Sequence, residues 1–185
     1  MGPASLYTYF ASLDELFTEL LVQSYKRLSD TIGSVVASFE ESPVGDRLLV
    51  GPLAYRRWAL DNPAQFNLIF TDQIPGYEAP VDGPTVDAQV AVFLPMVEIY
   101  AEALGVPFEP DMVGDPGSYR NQFLGLWGTF HGLTMLEVNH HLGWVDASSL
   151  FEERLRWEFA QVGLPAADPK IVQSFDQRWV DEIVG

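Results

Sequence analysis

Ala4-Ser5-Leu6-Tyr7-Thr8-Tyr9-Phe10-Ala11-Ser12-Leu13-Asp14-Glu15-Leu16 stands at the start of this chain of 185 residues. Leu6 and Phe10 are four apart and predict a short helix with one apolar side. Ser5, Tyr7, Thr8 and Tyr9 offer hydroxyls around it. Ser12 with Glu15 three residues later is a capping-box pattern, so a second helix should begin there. From Leu13 the apolar residues Leu16, Phe17, Leu20, Leu21, Leu28, Ile32, Val35, Val36 and Phe39 keep the three-and-four spacing of one face of a long helix.

The helical period continues beyond it. Ser42-Pro43-Val44-Gly45 breaks the chain, and a helix follows from about Asp46 to Leu60, with a bend expected near Gly51-Pro52. Asn62 should cap the next helix, with Pro63 in its first position. Residues 71–84 are a loop rich in Pro and Gly. A helix from about Thr85 to Leu104 should stop at Gly105. After a loop over Asp111 to Gly117, two helices are expected at about Ser118 to Leu142 and Ala147 to Val162, then an amphipathic segment to Trp179. With no sustained strand alternation, the fold class is all-α, a helical bundle.

Nearly half the residues are apolar (48%), which argues for one domain with a sizeable core. The chain has no Cys, which excludes disulfides, thiolate catalysis and Cys-ligated zinc and fits a reducing, cytoplasmic setting. No uncharged apolar run is long enough to span a bilayer, and no membrane partner is expected. The net charge is −16, and no Lys or Arg occurs before Lys26 or between Arg57 and Arg120. Such a body repels nucleic acid and disfavours anionic ligands.

The segment Ser5-Leu6-Tyr7-Thr8-Tyr9-Phe10 followed by the acidic helix start resembles the recognition helix and next helix of the TetR family of one-component regulators. Leu6, Tyr7, Phe10 and Leu16 carry that resemblance. A second one lies in the body. Arg57-Trp58-Ala59-Leu60-Asp61-Asn62-Pro63-Ala64-Gln65-Phe66-Asn67-Leu68-Ile69-Phe70, the loop Pro75-Gly76-Tyr77-Glu78-Ala79-Pro80, and Leu126-Trp127-Gly128-Thr129-Phe130-His131-Gly132-Leu133 with Glu137 are similar, in order, to a C-terminal domain of TetR regulators with a Trp and His-Gly signature.

The resemblance implies a division into a helix-turn-helix remnant with its linking helix, residues 1–30, and a ligand-binding and dimerisation domain, residues 31–185. It implies a transcriptional regulator, a repressor by family habit, acting as a homodimer built from helices 118–142 and 147–162. It places Pro3, Ala4, Ser5, Tyr7, Thr8 and Tyr9 at the DNA operator, reached only with the two preceding helices of the motif restored. The body should hold a small hydrophobic effector, neutral or cationic. Tyr55, Trp58, Phe66, Phe70, Phe93, Met96, Trp127 and His131 are its candidate contacts, being large, apolar and central. An alternative is a ligand-binding or heterodimerising module without a DNA role.

Other constellations point to no chemistry. His131 is either a polar contact in an apolar pocket or a core histidine bonded to a neighbouring helix. Glu137 and His140 have a ligand-like spacing, yet no second copy exists, and no metal or cofactor is expected. No nucleophile elbow, P-loop or dinucleotide fingerprint occurs, so no enzyme activity is expected. Gly125, Gly128 and Gly132 each cost about 1 kcal/mol in a helix interior relative to Ala. They suggest close approach of another backbone, within the subunit or across a dimer axis.

Overall fold

The computed structural model describes residues 12–71, 75–79, 82–110 and 117–180. Among them are seven helices and no strand: α1 Leu13–Ser38, α2 Val44–Asp61, α3 Pro63–Phe70, α4 Pro84–Leu104, α5 Tyr119–Val138, α6 Ala147–Gln161 and α7 Ile171–Trp179. The all-α bundle is therefore as expected.

Helix α1 starts where Ser12 accepts a hydrogen bond from the Glu15 N–H (3.1 Å). Its buried face is Tyr25, Leu28, Ile32 and Val35. It lies chiefly along α4 and then α2. Helix α2 is the centre of the bundle, packed on α1, α3, α4, α5 and α7. It runs unbroken through Gly51-Pro52, with Leu48, Leu49, Val50, Leu53, Ala54 and Tyr55 buried. At Gly51 the Met96 side chain of α4 closes in: a Cβ there would sit 2.5 Å from Met96 Cγ.

Three helices end alike. Gly105 (φ 68°) and Gly163 (φ 73°) take left-handed backbone, and Val106 and Leu164 donate to the carbonyls of Ala101 and Phe159 (3.0 Å each). Helix α5 ends in the same motif, but on His140 (φ 62°), with His141 N–H bonded to Leu136 O (2.8 Å). That stops α5 at Val138, short of the expected Leu142. The stop is carried by a residue other than glycine, and the apolar period alone does not reveal it. Asn62 also departs from expectation. Pro63 does open α3, but the Asn62 amide donates back to Trp58 O (2.9 Å) and makes no cap bond to α3. Only one residue separates α2 from α3, and its side chain serves the carbonyl end of the first.

The last helix closes the bundle beside α2. Ile171, Phe175 and Trp179 are its buried side. Trp179 Nε1 donates to Asp61 (3.2 Å), and the Arg178 guanidinium lies 4.2 Å over the Phe39 ring and bonds to Ser38 O.

Candidate functional site

Six of the eight candidate ligand residues come together. Tyr55 of α2, Phe66 and Phe70 of α3, Phe93 of α4, and Trp127 and His131 of α5 form one ring cluster. His131 is its hub, with centroids of Phe70 at 4.8 Å, Trp127 at 5.1 Å and Phe66 at 5.7 Å. Phe93 meets Trp127 at 5.0 Å, and Phe130 closes on Tyr55 at 5.2 Å. Most of these contacts are edge-to-face or tilted, as the ring quadrupoles favour.

One polar line crosses this apolar cluster. The Tyr55 hydroxyl and His131 Nδ1 are 2.7 Å apart. Burial pushes the Tyr55 hydroxyl well above its ordinary pKa; the nearby Trp127 N–H works against that rise without hydrogen-bond alignment. Burial also lowers the His131 pKa, so a neutral imidazole is favoured. Trp127 Nε1 is itself buried and has no hydrogen-bond partner. A neutral ring, a phenol and an indole N–H without a hydrogen-bond partner thus converge inside aromatic walls.

Trp58 and Met96 do not join. Trp58 lies on the other side of α2, in a cleft with Arg27, Asp61 and Trp179. Met96 fills the space over Gly51. Both are large and central, but periodicity says only that a residue is buried, not which side of a central helix it serves. The operator candidates Pro3, Ala4, Ser5, Tyr7, Thr8 and Tyr9 lie outside the described residues.

Glu137 has a structural use. Arg56 of α2 grips it with two bonds, 2.7 and 2.6 Å, and lies 5.4 Å over the Phe151 ring of α6. One guanidinium therefore joins α2, α5 and α6. Its sequence neighbours give no sign of this, since the partner is 81 residues away.

The outer face of α5 is open. A Cβ on Gly125, Gly128 or Gly132 would meet nothing within 4 Å among the described residues. Close packing among the described residues does not explain these glycines. They share their face with Leu136, which is 39% exposed, while Leu150 and Trp157 are exposed on one side of α6.

Beside the ring cluster lies a cleft of about 980 Å³ between α1, α3, the start of α4 and the 75–79 segment. Tyr77 straps that segment to α1: its hydroxyl is 2.8 Å from Thr18 Oγ1 and its ring 5.9 Å from Phe17. Tyr25 forms part of the floor, donating to Ile69 O (2.9 Å) and meeting Phe70 at 5.8 Å. Burial raises its pKa to about 12.

The His131 shift carries a stability prediction. Its folded pKa lies below the unfolded value of about 6.5, so in that interval the unfolded chain holds more protons. The stabilisation is full above pH 6.5 and is lost as pH falls through the folded value. Urea midpoints at pH 7.5 and 5.5 should therefore differ more in the wild type than in His131→Gln. Equal losses on acidification would show that another group is responsible.

The comparisons with known proteins agree with this architecture. Residues 52–157, more than half of the chain, match the model of a tetracycline-repressor-like C-terminal domain. The chain is 37% identical over 82 residues to the HTH-type transcriptional regulators Rv1816 of Mycobacterium tuberculosis (strain ATCC 25618 / H37Rv) and Mb1846 of Mycobacterium bovis (strain ATCC BAA-935 / AF2122/97). That match spans 44% of this chain and 35% of each relative. The crystal structure of SCO4313 superposes with a TM-score of 0.70 at 28% identity, over 86% of this chain and 80% of that one. A protein of unknown function from Rhodococcus sp. RHA1 shares the fold, with a TM-score of 0.67 at 20% identity over 87% and 78% of the two chains. The family match over more than half of its length establishes that the chain belongs to the family of tetracycline-repressor-like C-terminal domains.

Proposed function

We propose that this chain is the body of a TetR-type repressor that holds a small hydrophobic effector at the ring cluster, dimerises through α5 and α6, and passes the effector's presence to a DNA-reading head through α1. The observation that carries this reading is the connection from site to transmitter. His131 touches Phe70, Phe70 touches Tyr25, and Tyr25 is part of the buried face of α1. A molecule that displaces Phe70 must move a residue of the helix that leads toward the chain's start. Such a device works by changing the separation of two heads against fixed operator half-sites.

Dimerisation is supported by the open glycines of α5 and the exposed Leu136, Leu150 and Trp157. Glycine's cost in a helix is offset when a second helix approaches closely across it. The acidic body favours a neutral or cationic effector. The Tyr55–His131 pair and the Trp127 N–H would fix its polar atom.

A module without DNA contact is the second reading, favoured by the absence of Lys and Arg before Lys26. One binding assay at controlled salt separates the two, using DNA from upstream of the gene. It compares the 185-residue chain with the same chain preceded by the first two helices of Rv1816. The longer protein should bind selectively and at least about tenfold more tightly. No selective binding by either form would leave the module reading standing. Tight selective binding by the shorter form would overturn the module reading.

A further inference from the structure

We propose, resting on the effector reading of the ring cluster, that its ligand is a neutral lipophilic carbonyl compound, a ketone or quinone by class, whose oxygen accepts the Trp127 Nε1–H. An indole nitrogen only donates. This one is buried and has no partner, a state in which buried donors are rarely left. The Tyr55 oxygen lies nearby but out of hydrogen-bond alignment.

His131 adds a second donor, and Tyr55 fixes which nitrogen it is. Tyr55 is 0% exposed, so its hydroxyl proton cannot go to water. Among the described residues the hydroxyl's partner is His131 Nδ1, at 2.7 Å. Nδ1 therefore accepts, and the neutral ring carries its proton on Nε2, an assignment made from the hydrogen-bond network. Burial, which lowers the His131 pKa, favours that neutral ring. The acceptors around the cluster are in use: Nδ1 by Tyr55, Ile69 O by Tyr25 and Phe130 O by Thr134. The cluster thus offers donors and no free acceptor.

That pattern selects among ligands. A carbonyl oxygen accepts and brings no proton of its own. An alcohol brings a proton that finds no acceptor, and leaving it unbonded costs affinity. An ammonium group brings only donors. A carboxylate accepts, but it must shed its water among the rings and enter a chain of net charge −16. Phe70 is the ring that a guest would displace. It is the last residue of α3, and it meets His131 at 4.8 Å and Trp127 at 6.5 Å. All three are only partly buried.

The test is a calorimetric titration of the 185-residue protein with three probes of one shape. They are benzophenone, 1,1-diphenylethylene, which has CH₂ in place of the oxygen, and diphenylmethanol. Benzophenone should bind about tenfold more tightly than either. Its infrared carbonyl stretch should fall in frequency on binding, relative to an alkane solution. Trp127→Phe keeps a ring and removes the N–H. It should bring ketone and alkene within about twofold and abolish the infrared shift, with helical circular dichroism retained. Tyr55→Phe frees a His131 nitrogen to accept, so diphenylmethanol should gain on benzophenone. Equal binding of ketone and alkene by the wild type would overturn the carbonyl and leave the effector site standing. A ketone preference that survives Trp127→Phe would overturn it too, by placing the oxygen elsewhere. A ketone-to-alcohol gap unchanged in Tyr55→Phe would overturn the Nε2–H assignment and with it the exclusion of alcohols. Binding of none of the three would overturn the effector site itself, and the carbonyl with it.

Discussion

Gly128→Gln should turn a dimer into a monomer while leaving the fold intact or firmer. The position is open within the subunit, since a Cβ there meets no described atom within 4 Å. Within one chain the substitution replaces a poor helix former by a good one, a gain of up to about 1 kcal/mol. Across a two-fold axis the same side chain is met twice, because an isologous interface uses each residue in both subunits. Overpacking costs about 1–3 kcal/mol at each meeting. The dimer dissociation constant should therefore rise about a hundredfold, while the urea midpoint of the monomer holds or rises. Light scattering at micromolar concentration, with urea melts of both proteins, reads the two effects separately. A wild-type monomer would remove the dimer from the proposal. A Gly128→Gln protein that stays dimeric would place the interface elsewhere.

Arg56→Ala should be the most damaging single change among the side chains that join helices. Arg56 and Glu137 are 13% and 18% exposed at their side chains, and they meet through two short hydrogen bonds. The intact pair contributes little by itself, because both charges gave up water to form it. Removing one partner leaves the other charge largely buried and alone, which typically costs about 3–5 kcal/mol. The partial exposure of this pair places the loss toward the lower end. Truncation also removes the guanidinium from the Phe151 ring, so α6 loses a contact as well. Chemical denaturation should show this loss, and the double variant Arg56→Met/Glu137→Leu should recover most of it. A single variant within 1 kcal/mol of the wild type, by contrast with these ~3–5 kcal/mol, would mean that water replaces the guanidinium.

These outcomes mark what could be read from the chain. The long first helix, the Gly105 and Gly163 stops and the all-α class follow from local rules of spacing and capping. Those rules act over a few residues, and the sequence contains all of their terms. The ring cluster was legible in part, because Trp127 and His131 share a helix face and Phe66 and Phe70 share another. Trp58 lies apart from the ring cluster for a physical reason: α2 is buried nearly all round, so burial there does not distinguish its two sides. Asn62 and His140 departed because each solved a local hydrogen-bond problem with an unexpected side chain or backbone state. The Arg56–Glu137 pair and the Tyr77–Thr18 strap were illegible, since each joins residues far apart in sequence. The open face of the α5 glycines could be learned only once the neighbouring helices were in place.

The unequal anchoring of α1 has a mechanical corollary. With 26 residues the helix is a rod about 39 Å long. Its far end is pinned by the buried Leu28, Ile32 and Val35 and by Arg178 on Ser38, while near its start Leu13 and Leu20 are exposed and the holding contact is the lighter Tyr77 strap on Phe17 and Thr18. A rod held more firmly at one end multiplies displacement toward the other. A tilt of about 5° moves the lightly held tip by roughly 3 Å, close to the rise of one base step along a DNA strand. Two such rods related by a two-fold axis would change their tip separation by up to twice that, about a fifth of a helical turn of DNA. On the proposed regulator reading, sub-ångström shifts among packed rings near the fulcrum would be geared up to the scale on which half-site spacing is measured.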